Sequence, residues 1–134
     1  GPGEVLEGDP RVELVNESLG AEAYFGLLQR SDLILLPYRR GSYHNRLSRV
    51  AMEAAGMGKP LVYMSGTWSA EVAEIAGTGV AIRQESVEAC VGAIREAVAK
   101  VERLATTATE GASRVARFHT VKTFRERMVA GGEP

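Results

Sequence analysis

Short apolar runs alternate along this chain with longer stretches whose apolar residues recur every three or four positions, and turns rich in glycine or polar residues separate them. Val12 to Val15 is a short run with β-branched residues and predicts a strand. Ala21 to Arg30 places Ala21, Tyr24, Phe25 and Leu28 at helical spacing, which predicts an amphipathic helix ending near Ser31-Asp32. Leu33-Ile34-Leu35-Leu36 is apolar at consecutive positions and stops at Pro37, the pattern of a central parallel strand covered on both faces. Ser48 to Met57 predicts a second helix with small Ala51, Ala54 and Ala55 along it, closed by a Gly58-Lys59-Pro60 turn. Leu61 to Met64 is the next strand.

Further along, Ser69 is the expected cap of a short helix over Glu71 to Ala76, and Gly77-Thr78-Gly79 turns into a strand at Val80-Ala81-Ile82. Ser86 caps a long helix whose expected buried stripe is Val87, Val91, Ile94, Val98 and Val101. A polar stretch from Thr106 to Glu110 leads into more helix, and Thr120 is placed to cap a terminal helix carrying Val121, Phe124 and Met128. Strand followed by helix, repeated four times with short loops, predicts an α/β fold: a Rossmann-like parallel sheet flanked by helices. Ligands of such sheets bind beyond the carboxyl ends of the strands. The loops of interest are therefore those after Val15, Leu36, Met64 and Ile82.

Composition narrows the function classes. The 134 residues are 45% hydrophobic and 25% charged, as in one soluble domain with a core of its own. Gly1-Pro2-Gly3 reads as a protease-cleavage remnant, residues 1–10 as a lead, and residues 11–134 as the domain. Cys90 has no second cysteine to pair with, and with only His44 and His119 beside it there is no ligand set for zinc; no metal and no cofactor are expected, and a cytoplasmic setting is the default. Cys90 reads as helix packing and His119 as a structural turn residue. No apolar run approaches the roughly 20 residues that span a bilayer.

The net charge of −1 is unevenly spread. Residues 1–36 carry seven acids against two bases, whereas residues 37–59 carry Arg39, Arg40, Arg46, Arg49 and Lys59 against Glu53 alone. A local anion attractor on a weakly acidic body argues for a small anionic ligand and against a general nucleic-acid binder. Charge counting leaves a second reading open, a solvated loop whose arginines keep it soluble. The basic segment follows Leu36 directly, where the fold rule places a site.

Several chemistries are excluded. Gly56-Met57-Gly58 follows a helix and runs into Pro60, so it is a turn and no dinucleotide fingerprint. Glu53 and Pro60 stand where a phosphate-binding P-loop needs glycine and a hydroxyl. No G-x-S-x-G elbow occurs. Asn16-Glu17 is a poor match to the clustered acids of a receiver domain.

The informative stretch runs from Asp32 through Pro37 and the basic loop to Ser48, Glu53 and Gly58-Lys59-Pro60. A helix opening at Ser48 sets unsatisfied N–H groups and the positive end of its dipole beside Arg46 and Arg49, a site for phosphate or diphosphate. Glu53, about one and a half turns into that helix, is placed to accept from ribose hydroxyls. This order of apolar strand, proline, loop, Glu-Ala, Gly-Lys-Pro and apolar strand resembles the carboxyl-terminal, donor-binding half of a GT-B glycosyltransferase, most like the retaining nucleotide-sugar enzymes of group 1, family 4. The resemblance covers nearly the whole chain, from Val12–Ser18 to the Arg117-Phe118-His119-Thr120 turn.

The resemblance implies that Glu53 contacts ribose and that the amides of Ser48, Arg49 and Val50 touch the diphosphate, with Arg46 alongside. A second glutamate, eight positions before the ribose residue, contacts the donor sugar in that family; here Asn45 stands in its place, and Arg46-Leu47-Ser48 replaces a glycine-aromatic-glycine run. An amide donates and accepts hydrogen bonds but brings no charge to a developing cation. No catalytic residue is assigned. Asn45 and His44 are further candidate sugar contacts and Trp68 a residue that flanks the site; a loop histidine is more often a plain surface residue, and for Trp68 packing between helix and sheet is the favoured reading. Arg39 and Arg40 read as solvated.

The resemblance further implies a truncated donor domain, a separate amino-terminal domain that holds the acceptor, and an exposed sheet edge through which copies could associate. The function expected is binding of a nucleoside-diphosphate sugar for glycosyl transfer, with no turnover by this part alone. The alternatives are a noncatalytic nucleotide-binding or assembly module of the same fold, which Asn45 favours, and a receiver or flavodoxin-like domain.

Overall fold

The computed structural model describes residues 8–15, 17–40 and 45–131, with the backbone alone for 45–48 and 119–131. Helix α1 (Ala21–Gln29) leads to strand β1 (Ile34–Leu36), α2 (Asn45–Gly56), β2 (Leu61–Met64), α3 (Trp68–Ala76), β3 (Val80–Ile82), α4 (Val87–Ala99) and α5 (Val101–Gly131). The strands form a parallel sheet in the order β1-β2-β3, with Ile34 opposite Leu61 and Val62 opposite Val80. A Rossmann-like alternation of strand and helix around a parallel sheet is thus present, with three strands among the described residues.

The register sorts side chains onto two faces. Ile34, Leu36, Leu61 and Tyr63 point to one face, where they pack with Leu28 of α1, Ala51, Ala54 and Ala55 of α2, and Val72, Ala73 and Ala76 of α3. Val62, Met64, Val80 and Ile82 point to the other, against Ala93 and Ala97 of α4 and Leu104 of α5. The alanines are nearly inaccessible to solvent, and their small size lets each helix sit close to the sheet. Helix α5 joins both clusters through Leu104 and Val115.

That long helix closes the amino ends of the strands. Arg114 donates from Nε to the Ile75 carbonyl at 3.1 Å and from a terminal nitrogen to the Ala76 carbonyl at 3.0 Å, satisfying acceptors that the end of α3 leaves open. Gly77, at φ 73°, ends α3 in the left-handed conformation. At the end of α2 the Lys59 amide reaches back to the Ala54 carbonyl and Gly58 adopts φ 77°, a Schellman ending. Both glycine turns are as the sequence predicts. The opposite, carboxyl end of the sheet is left for the loops after β1, β2 and β3.

Five expectations are corrected. Val12 to Val15 forms no strand, and Leu14 and Val15 are exposed. β1 is an edge strand rather than a central one among the described residues, and Leu35 is 43% exposed. In α4 the inward positions are Ala93 and Ala97, supported by Ala89, Cys90 and Ile94, while Val87, Val91 and Val98 face solvent. α3 opens at Trp68 after Thr67, and Ser69 is buried inside it. Residues 101–131 form one helix instead of two, because Thr106, Thr107 and Thr109 return their hydroxyls to the carbonyls of Glu102, Arg103 and Ala105 and so need no turn. Ser86 does cap α4, accepting from the Ala89 amide at 3.1 Å.

Candidate functional site

Glu53 opens the last turn of α2, more than two turns after Asn45 rather than the one and a half expected from a start at Ser48, and is half-buried and facing α1. The Tyr24 hydroxyl donates to its Oε1 at 3.1 Å, bridging the two helices. Tyr38, just past the carboxyl end of β1, packs against the same cluster, and Tyr24 feels the charge of Arg49 one turn up α2 from Glu53. Burial first, and then the negative charge and hydrogen bond of Glu53, push the Tyr24 phenol up to about 12. Tyr24 is accordingly a neutral donor through the physiological range. Glu53 and Arg49, one turn apart on α2, thus share a polar patch with the Tyr24 phenol.

The opening of α2 lies three residues earlier than Ser48, at Asn45. A helix leaves only its first four N–H groups unbonded, so the amides of Arg49 and Val50 belong to the helical ladder, and Ser48 stands at the end of the first turn. Serine is a good cap residue by propensity, which is why the sequence points to Ser48. Val50 is half-buried and packs against the core cluster of α1, α2 and α3, and Arg49 is exposed. His44 lies outside the described residues. So do the side chains of Asn45, Arg46 and Ser48, although the backbone places all three in the first turn of α2.

Two bases of the cationic segment are committed elsewhere. Lys59 donates from Nζ to the Gln29 carbonyl at 2.8 Å, at the end of α1. Arg40, expected to be solvated, ties together the loops at the carboxyl ends of all three strands. Its Nε donates to the Ser65 carbonyl at 2.8 Å, one terminal nitrogen donates to Ser65 Oγ at 2.6 Å and to the Arg83 carbonyl at 2.5 Å, and its backbone N–H donates to Glu85 Oε1 at 2.7 Å. The Arg40 side chain also passes over Gly66, which has φ 77°. Sequence reasoning missed Tyr24 and Arg40 as site residues. Their partners are 25 to 45 positions away along the chain, so no local pattern marks them.

Trp68, the first residue of α3, is half-buried and borders two open clefts. One, of about 370 Å³, is lined by Gly66, Thr67, Trp68, Ala70, Glu71 and Glu74. The other, of about 320 Å³, lies between α3 and Phe118 of α5. Glu53 lines neither of these two. Among the described residues no group of three His, Cys, Asp or Glu side chains is placed to hold a metal ion. No helix there is long and apolar enough to cross a membrane. Cys90 is half-buried and packs against the core between the sheet and α4.

The helix that crosses back from the carboxyl end of β1 therefore carries a half-buried carboxylate with a fixed hydrogen-bond donor and an exposed arginine one turn before it, while Arg40 anchors the loops at the carboxyl ends of the strands. This arrangement can accept hydroxyl groups and attract an anion. No family model, no curated protein and no solved structure matches this chain.

Proposed function

We propose that the chain is the nucleotide-sugar-binding half of a glycosyltransferase of the GT-B kind. The observation that carries the proposal is Glu53: a half-buried carboxylate held by Tyr24 beside the exposed Arg49, on the helix after a basic loop at the carboxyl end of a parallel strand. A carboxylate there suits the hydroxyls of a ribose, and the basic crossing suits the diphosphate. The acceptor and the opposite wall of the cleft belong, on this reading, to a separate amino-terminal domain. Stabilisation of the departing diphosphate by the first turn of α2 and by Arg46 and Arg49 is the electrostatic contribution this half makes. The partner is a nucleoside-diphosphate sugar; no nucleic acid is involved.

A nucleoside diphosphate of about 25 heavy atoms at roughly 0.3 kcal/mol each has an upper bound near 7–8 kcal/mol, a micromolar complex. Half a cleft binds more weakly. Titration with UDP, GDP and ADP followed by amide chemical shifts is expected to perturb Arg49 and Glu53 at submillimolar to millimolar ligand. Silence at those residues with all three nucleotides overturns the assignment. Asn45, at the position of a charged donor-sugar contact, favours the second reading, a noncatalytic module that binds nucleotide without transfer. An inert full-length protein that gains transfer on Asn45→Glu supports that reading, and an active wild type refutes it.

A further inference from the structure

Glu53 is built into more than its own helix. Tyr24 comes from the first turn and a half of α1 and reaches across to α2, so the carboxylate is fixed from a separate element. An ionised carboxylate offers about four acceptor positions. Among the described residues Tyr24 fills one of them, on Oε1. Holding that oxygen leaves the remaining acceptor positions to a ligand and spares the site the ordering of a long, flexible side chain when ligand arrives. Two adjacent hydroxyls are the natural complement of a carboxylate held in this way, since each donates to one oxygen.

We propose that Tyr24 is a positioning residue that holds the Glu53 carboxylate ready for a cis-diol, so that the site prefers ribonucleotides to 2′-deoxyribonucleotides. The inference rests on Glu53 as the ribose acceptor and adds the residue that makes it selective. Tyr24→Phe is the natural variant, because it keeps the ring, its burial and its edge-on packing against Phe25, whose centroid lies 5.1 Å away. Only the hydroxyl is lost.

The test compares UDP, GDP and ADP with their 2′-deoxy counterparts by calorimetric titration, on wild type, Tyr24→Phe and Glu53→Gln. Wild type is expected to favour the ribose form about tenfold for the nucleotide it binds best, the scale of one hydrogen bond to a charged group. Tyr24→Phe is expected to lower that ratio to about threefold while leaving the deoxy affinity unchanged. Glu53→Gln should bring the ratio close to one. The ratio is measured on the same protein for both ligands, so loss of folded material cannot imitate the effect, and a merely structural role for Tyr24 would weaken both ligands alike. A Tyr24→Phe ratio equal to wild type, with Glu53→Gln still lowering it, overturns the positioning role and leaves the ribose assignment standing. Wild type that binds no nucleotide, or binds both forms equally, overturns both.

Discussion

The hydrogen bond from Tyr24 to Glu53 joins a phenol to a carboxylate in a half-buried setting, and its consequence for stability has a definite sign. The Tyr24 pKa stands at about 12 in the fold, raised first by burial and then by Glu53, against about 10 in an unfolded chain. Below about pH 10 both states hold the proton and the full contribution is present. Between about pH 10 and about pH 12 the unfolded chain releases a proton that the folded chain keeps bound, so the folded state loses ground as pH rises. Tyr24→Phe lacks this group. The stability advantage of wild type over Tyr24→Phe, from urea unfolding at about pH 9 and about pH 11, should shrink at the higher pH; an advantage that grows refutes the sign. The phenol of Tyr63 is also pushed up, first by burial, and it contributes equally to both proteins. Arg40 shows a different lesson at this scale: three hydrogen bonds from its guanidinium remove it from the pool of anion-binding bases that charge counting assigns to the loop.

Helix packing decides where a glycine helps and where it costs. Gly111 lies inside α5 and has no local excuse for its low helix propensity. A Cβ built there would stand 1.9 Å from the Ala76 carbonyl oxygen, so backbone meets backbone where α5 crosses the end of α3. Gly92, inside α4, has nothing within 4 Å of a Cβ. Alanine should therefore have opposite effects at the two sites: Gly92→Ala gains about 0.5–1 kcal/mol from propensity, and Gly111→Ala loses about 3 kcal/mol or more by forcing the helices apart. Thermal unfolding of the two variants settles it, and equal signs would contradict the crossing. The sequence shows Gly111 only as a helix-weakening residue, because close approach is a property of two elements 35 residues apart. What it does show well is local. The strands at 34–36, 61–64 and 80–82, the glycine turns and the Ser86 cap follow from residue type and spacing alone. The sequence sets the starts of α2 and α3 too late, because serine is a good cap wherever it stands, whereas the structure opens both helices before the serine, at Asn45 and Trp68.

On the scale of the whole molecule the sheet is covered unequally. α1, α2 and α3 bury one face, while α4 lies on the other, against β2 and β3. Leu35 of β1 shares that second face and remains exposed. The valines of α4 lie beyond the line of contact as well: Val87 is 80% exposed and Val98 58% exposed, although their spacing reads as a buried stripe. Two overlapping stripes run along this helix, one of valines and one through Cys90, Ala93 and Ala97, and both include Ile94 or its neighbours. Bulk favours the valines in a sequence reading. Proximity to the sheet favours the alanines, since a helix facing Val62, Val80 and Ile82 approaches closely only over small side chains. The competing placements differ in a measurable sign. If the valines packed inwards, Val87→Glu with Val98→Lys would bury two charges and cost several kcal/mol. In the observed arrangement the glutamate enters the first turn of α4 and the lysine its last turn, each matching the helix dipole, and lysine also has the higher helix propensity. The double variant should then unfold at the same urea concentration as wild type or a higher one, with a gain of about 0.5–1 kcal/mol. A large loss would mean that α4 is rotated by about 100°, the angle between successive helical positions, and that its packing against the candidate site's sheet is not the one described.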